Sequence, residues 1–252
     1  MWNLENKKAI VTGGSKGIGK AVVLEFLKLG ADVLFTARNK EDIVNFENEL
    51  KTTYPKVKGL VSDSSSPKDR LELEKWVSSN WGLVDILVNN AGINIRKKTI
   101  DYTTEEFQKV VAINLIAPFE ISRLLYPALK KSGKASVINI ASAAAMQDVG
   151  TGSPYAMAKA GLLQQTRSLA VEWAKEGIRV NAVSPWFTKT PLTEGYLGQD
   201  EKISPILKRT PLNRVAEPEE MSAIVSFLAM DKSSFITGQN IIADGGMSVN
   251  AL

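Results

Sequence analysis

Tyr155 and Lys159 stand four residues apart in Ser153-Pro154-Tyr155-Ala156-Met157-Ala158-Lys159-Ala160, and Ser142 lies thirteen positions before the tyrosine. The chain has no histidine and no cysteine, which removes imidazole acid–base chemistry, thiolate nucleophiles and disulfides. A phenol and an amine can still move a proton. If Tyr155 opens a helix, positions i and i+4 share one face. An ammonium on Lys159 then favours the phenolate and lowers a pKa that is about 10 in an unperturbed tyrosine. A serine hydroxyl reaching in from another strand can hydrogen-bond the same substrate oxygen. Such a trio handles a proton at a carbonyl without a metal. A tyrosine and a lysine at helical spacing also occur on ordinary helix surfaces, so the surrounding elements decide between the two readings.

The 252 residues, 44% hydrophobic and 23% charged, fit one α/β domain. The net charge is +4 and the isoelectric point about 9.1. Yet the basic runs are short, the pairs Lys7-Lys8 and Lys130-Lys131 and, with Arg96 before it, Lys97-Lys98. With neither a basic stripe nor interleaved aromatics, nucleic acid is not an expected partner, and the small excess suits an anionic cofactor. Met1-Trp2-Asn3-Leu4-Glu5-Asn6 is short and charged, and no unbroken apolar stretch approaches the ~18 residues of a membrane span. The expectation is a cytoplasmic protein with no membrane partner.

Short β-branched runs near 9–11, 31–36, 57–61, 84–88, 136–140, 178–183 and 239–243 alternate with helical patterns. The helices fall near 17–29, 40–51, 67–81, 104–129, 155–175 and 218–229. That alternation predicts a parallel sheet covered on both faces. The stretch at about 186–214, rich in proline, glycine, threonine and charge, reads as an irregular insertion and a candidate lid.

The first strand runs into Val11-Thr12-Gly13-Gly14-Ser15-Lys16-Gly17-Ile18-Gly19. The spacing G-x-x-x-G-x-G, at Gly13, Gly17 and Gly19, gives a tight turn and a side-chain-free approach to a helix N-terminus. Free amides and the helix dipole there can receive a pyrophosphate. An NAD-binding chain is expected to end its second strand on an acid that holds the ribose hydroxyls. Here the strand ends Thr36-Ala37-Arg38-Asn39. Arg38 can instead fork onto a 2′-phosphate, with Lys16 as a second cation, so NADP(H) is favoured over NAD(H).

With the glycine loop, Asn89-Asn90-Ala91-Gly92, Ser142, Tyr155, Lys159 and the closing Asp244-Gly245-Gly246 in this order, the sequence resembles the short-chain dehydrogenase/reductase family over nearly its whole length. Trp2-Asn3-Leu4 and Glu172-Trp173-Ala174-Lys175 are most similar to its tropinone-reductase-like branch. The resemblance implies a Rossmann fold, a doubly wound seven-stranded parallel sheet, and a homotetramer or homodimer. It implies a catalytic tetrad of Asn114, Ser142, Tyr155 and Lys159. Tyr155 is the general acid in reduction, Lys159 lowers its pKa and holds the nicotinamide ribose, and Ser142 polarises the carbonyl. Asn114 kinks its helix and holds a water leading from Lys159 to solvent. Cofactor contacts implied are Gly13, Ser15, Lys16, Gly17, Ile18 and Gly19 in the loop; Arg38; Asp63 at the adenine; Asn89, Ala91 and Gly92 after the fourth strand; Tyr155 and Lys159; and Pro185, Thr188 and Thr190 after the sixth. No metal is implied.

One departure stands out. The family usually has Pro-Gly where this chain has Pro185-Trp186. A tryptophan resists positive φ, so the loop is rebuilt, or Trp186 walls a substrate pocket together with Ser142, Tyr155 and Tyr196. The reaction implied is NADPH-dependent reduction of a ketone or aldehyde. A 3-oxoacyl-carrier-protein reductase, reading its substrate through Arg96, Lys97, Lys98, Lys208 and Arg209, stays open, as does a catalytically silent dinucleotide sensor. Asp148 offers a counter-charge for a cationic ketone.

Overall fold

A computed structural model describes residues 2–250. Its strands are β1 (Lys8–Thr12), β2 (Asp32–Ala37), β3 (Val57–Val61), β4 (Ile86–Asn89), β5 (Ser136–Ile140), β6 (Arg179–Pro185) and β7 (Asn240–Ala243). All pair in parallel, in the order β3-β2-β1-β4-β5-β6-β7. The helices are α1 (Gly17–Lys28), α2 (Lys40–Lys51), α3 (Pro67–Asn80), α4 (Thr104–Val111), α5 (Ala117–Ser132), α6 (Ser153–Trp173), α7 (Pro191–Leu197), α8 (Asp200–Arg209) and α9 (Pro218–Ala229).

Alternation along each strand sends successive side chains to opposite faces. Ala9, Val11, Val33, Phe35, Ile86 and Val88 pack on one side against α1, α2 and α9. Ile10, Leu34, Leu87 and Val137 pack on the other against α3, α5 and α6. Each fully buried Leu, Ile or Phe contributes about 1.5–3 kcal/mol, which fixes the helices, and the residues at their ends, against the sheet. This is the doubly wound Rossmann sheet that the alternation and the resemblance implied. Its order reverses between β1 and β4, and in such sheets ligands bind in the crevice beyond the strands' carboxyl ends at that point.

Two segments differ from expectation. The helix expected over 104–129 is two helices joined by a π-helical turn, Ala112–Ile116, with Asn114 buried inside it. Thr104–Ser132 taken as one run is long and apolar enough, by length and composition, to cross a membrane, which a search for unbroken apolar stretches missed. Here it packs against α3 and α6. The candidate lid is two short helices rather than an irregular loop. Pro191 sits at the first position of α7, where its missing N–H costs nothing, behind Thr190 as the capping residue. In α8, Asp200 and Glu201 in the first turn and Lys208 and Arg209 in the last complement the helix dipole, and Ile206 is buried.

Candidate active site

The carboxyl ends of β1, β4, β5 and β6 open onto one cavity of about 860 Å³. At its floor is the glycine loop. Gly13 takes φ +66°, a left-handed turn, and a Cβ on Gly19 would stand 2.2 Å from the Gly13 carbonyl oxygen, so the loop can close onto α1 only without side chains there. Lys16 precedes α1 in an extended conformation with no side-chain cap, so no side chain takes the first-turn amides. Gly13, Ser15, Lys16, Gly17 and Ile18 line the cavity; Gly19 lies behind them.

Asn90, which sequence reasoning missed, braces this loop. Its Nδ2 donates to the carbonyls of Thr12 (2.9 Å) and Gly13 (3.0 Å). The adjacent Asn89 does not line the cavity. Its Nδ2 donates to Asn139 Oδ1 (2.8 Å) and Ser122 Oγ (3.1 Å), and Asn139 donates on to Thr166 of α6 (2.9 Å). This buried chain of polar groups fixes α6, and with it Tyr155 and Lys159, against β4 and β5. The only signal for Asn90 was its place in the pair Asn89-Asn90.

At the end of β2, Arg38 is exposed, lines the cavity and makes no hydrogen bond or ion pair among the described residues. Lys16 is not free in the same way: its Nζ pairs with Asp42 Oδ2 at 2.7 Å. Asp42, in the first turn of α2 and capped by Asn39, brings an acid to this end that the ending of strand two concealed. Asp63 also lines the cavity, and its Oδ1 accepts from the Ser65 hydroxyl (2.7 Å) and amide (2.9 Å). Partial burial pushes its carboxyl up, but those bonds and the charge of Arg38 bring it net below the usual aspartate range.

Ser142, Tyr155 and Lys159 meet at the inner end of the cavity. Ser142 follows β5 and caps a short 3-10 turn, accepting from the Ala144 amide at 3.2 Å. Tyr155 and Lys159 lie one turn apart in α6, as their spacing predicts, with Lys159 Nζ 5.7 Å from the phenol ring centre. The electrostatics depart from expectation. Burial holds the Tyr155 phenol above its ordinary pKa, although the neighbouring Ser142 hydroxyl and the Arg96 charge pull it down. Burial also lowers Lys159 to about 8. Lys159 spends its ammonium on the Ile140 carbonyl at 2.7 Å, and loss of water disfavours both charged forms. Asn114 does not reach the cavity. Its Nδ2 donates to the carbonyls of Ile93 (2.8 Å) and Val110 (2.9 Å), and its Oδ1 accepts from the Ile93 amide (3.3 Å). It thereby ties the π turn to the loop carrying Ala91 and Gly92, both of which line the cavity.

Beyond β6, Pro185, Trp186, Phe187, Thr188 and Thr190 line the cavity. Trp186 has no positive φ; the loop accommodates it, and the indole walls the cavity while donating to Thr210 Oγ1 at 3.1 Å. Thr188 is buried and donates to the Trp186 carbonyl. Thr190 shares its hydroxyl with Thr193 (3.1 Å) and stands so close to Gly17 that a Cβ there would lie 3.1 Å from it. The first turn of α7 thus rests on the glycine loop. Tyr196 does not line the cavity and supports it from behind, stacked on Phe187 at 5.5 Å. Asp148 also lies outside, accepting from the Gly150 amide. Of the five basic residues considered at the mouth, only Arg96 lines the cavity; Lys97 pairs with Glu106 at 2.5 Å.

These residues fit a dinucleotide. Uncapped amides of α1 and a cation, Arg38, with no hydrogen bond or close ion pair among the described residues lie at one end, and proton-handling groups at the other. Among the described residues no group of three or more acidic side chains is placed to hold a metal.

Comparison with known proteins agrees. A family model described as enoyl-(acyl carrier protein) reductase matches residues 13–248. A tropinone reductase homolog of Arabidopsis thaliana is 44% identical over 250 residues, covering 99% of this chain and 95% of the relative. A short-chain type dehydrogenase/reductase from Mycobacterium marinum superposes with a TM-score of 0.92 at 30% identity, over 99% of this chain and 98% of that one. A gluconate 5-dehydrogenase from Burkholderia cenocepacia, in complex with NADP and tartrate, superposes with a TM-score of 0.94 at 25% identity, over 99% and 98%. The glycine loop, the doubly wound sheet and the convergence of Ser142, Tyr155 and Lys159 are those of an oxidoreductase, and the chain belongs to the short-chain dehydrogenase/reductase family.

Proposed function

We propose that this protein reduces a ketone or aldehyde to an alcohol with NADPH, in the manner suggested by its tropinone-reductase-like relatives. The observation that carries the reading is one cavity with Arg38, which makes no hydrogen bond or close ion pair among the described residues, at its outer end and Ser142, Tyr155 and Lys159 together at its inner end. The NADP bound by the gluconate 5-dehydrogenase neighbour supports the same cofactor. Arg38 would hold the 2′-phosphate, the α1 amides the pyrophosphate, and Lys159 the nicotinamide ribose. When bound, the cofactor supplies the hydride.

The chain's own part is proton delivery and charge placement. With its pKa held up by burial, the Tyr155 phenol is protonated at neutral pH and donates to the carbonyl oxygen as charge develops there. The Ser142 hydroxyl donates to the same oxygen, an oxyanion-site role. Lys159, with a pKa of about 8, is roughly nine-tenths cationic at pH 7 and sets a positive charge 5.7 Å from the Tyr155 ring centre, while the Ser142 hydroxyl and the Arg96 charge are what pull the phenol's pKa down. A phenol that rests protonated suits reduction better than oxidation. Apolar residues left exposed on α4 to α6, among them Phe107, Phe119 and Met157, support a homo-oligomer, dimer or tetramer.

Absorbance at 340 nm tests this directly. NADPH and NADH are run in parallel against tropinone, a small cyclic ketone, a diketone, a steroid ketone and an acetoacetyl thioester. Turnover with NADPH on one of these classes is expected; tight NADPH binding with no turnover on any would favour the silent sensor.

A further inference from the structure

Resting on the carbonyl-reductase reading, we infer that the substrate carries a carboxylate, which Arg96 receives while Ser142 and Tyr155 hold the carbonyl. Arg96 leaves the loop after β4 and lines the cavity near its catalytic end. It is held from behind: its guanidinium donates one hydrogen bond to the Leu192 carbonyl in α7 (3.2 Å) and lies 5.3 Å from the Tyr196 ring centre. That leaves most of its five N–H donors uncommitted to protein. No acidic side chain pairs with it among the described residues. The two carboxylates lining the cavity, Asp42 and Asp63, sit at the opposite end beside Lys16 and Arg38.

Among the described residues the catalytic end therefore holds two cations, Arg96 and Lys159, and no anion. Its remaining wall is largely apolar, Ile93, Val149, Phe187 and Leu192; beside them Asn94 Nδ2 donates to Thr151 Oγ1, and the Asn94 Oδ1 is a neutral acceptor, buried without a partner. The charge of Arg96 is felt at the Tyr155 phenol, which places the guanidinium within electrostatic reach of the reacting oxygen. A cationic amine-bearing ketone would enter against both charges, and Asp148, the acid that could have offset them, is not part of the cavity lining. A planar guanidinium with a free edge matches a carboxylate in bidentate fashion.

The test uses 4-oxopentanoate and 5-oxohexanoate, each beside its methyl ester, with wild type, Arg96→Gln and Arg96→Lys. Two readouts are taken: NADPH oxidation, and displacement of protein tryptophan fluorescence by the acid or ester added to the NADPH-loaded protein. Wild type should favour acid over ester at least tenfold in kcat/KM or in Kd. Arg96→Gln should collapse that preference through KM, and Arg96→Lys should keep most of it. Arg96 acting only as a brace for α7 would depress acid and ester alike, leaving their ratio unchanged, and that result overturns the inference. So would equal use of acid and ester by wild type, which leaves the reductase reading standing. Arg96-dependent acid binding without turnover of any ketone would uphold the anion site and sink the reductase reading instead.

Discussion

Lys159→Met asks whether the ammonium at the catalytic end is held against a desolvation cost. In the unfolded chain this lysine titrates near 10.5, and in the folded chain at about 8. Between those values the unfolded state binds more protons, so stability rises with pH across the window. The cost of burying the charge is fully present below pH 8 and vanishes above about 10.5; it amounts to about 3 kcal/mol. Some 2.5 kcal/mol of that, approximately, is recovered between pH 7 and pH 10. Methionine fills the same space without titrating. It leaves the Ile140 carbonyl without its donor, which costs about 1–3 kcal/mol at every pH. Urea unfolding of both proteins from pH 7 to pH 10 isolates the effect, because every other lysine and tyrosine titrates in both. The stability difference, wild type minus variant, should grow by about 2.5 kcal/mol over that range. Parallel curves, within about 0.5 kcal/mol, would mean that Lys159 is not depressed and would undo the electrostatic account of the site.

Arg38→Ala should lower the NADPH-over-NADH ratio of kcat/KM roughly 10- to 150-fold, the equivalent of a charge-assisted hydrogen bond worth ~1.5–3 kcal/mol. An unchanged ratio would place the 2′-phosphate elsewhere. Gly19→Ala forces a Cβ to within 2.2 Å of the Gly13 carbonyl oxygen. Thermal unfolding should show a loss of about 1–3 kcal/mol and fluorescence titration a weaker NADPH affinity; a variant matching wild type in both would mean the loop closes differently.

The elements were legible where periodicity was clean. β-branched runs bounded by turn residues located all seven strands to within two residues at every end, since a parallel sheet buried on both faces leaves few ways to place them. The glycine loop and the i, i+4 pair of Tyr155 and Lys159 were legible because each depends on spacing within one segment. What escaped depends on residues distant in sequence. Asp42 meets Lys16 only when α2 folds back beside the loop, so the charge at that end reads differently in three dimensions. Arg96 looked like one of several basic residues until Lys97 was taken by Glu106 and the others fell outside the cavity. Pro191, Gly195, Gly198 and Pro205 masked α7 and α8, because a proline reads as a breaker unless its position in the first turn is known. The raised pKa of Tyr155 was hidden for a similar reason: spacing gives proximity to Lys159, but burial, a property of the whole fold, decides the direction against the pull of Ser142 and Arg96.

The central claim is that Tyr155 donates the proton at a carbonyl beside a bound dinucleotide. The most direct measurement compares wild type with Tyr155→Phe on a substrate that wild type reduces, following NADPH oxidation at 340 nm and NADPH affinity by fluorescence in the same preparations. The account predicts a variant that binds NADPH within a few-fold of wild type and turns over at no more than a few per cent of its rate. A variant that keeps a substantial fraction of the wild-type rate would contradict it.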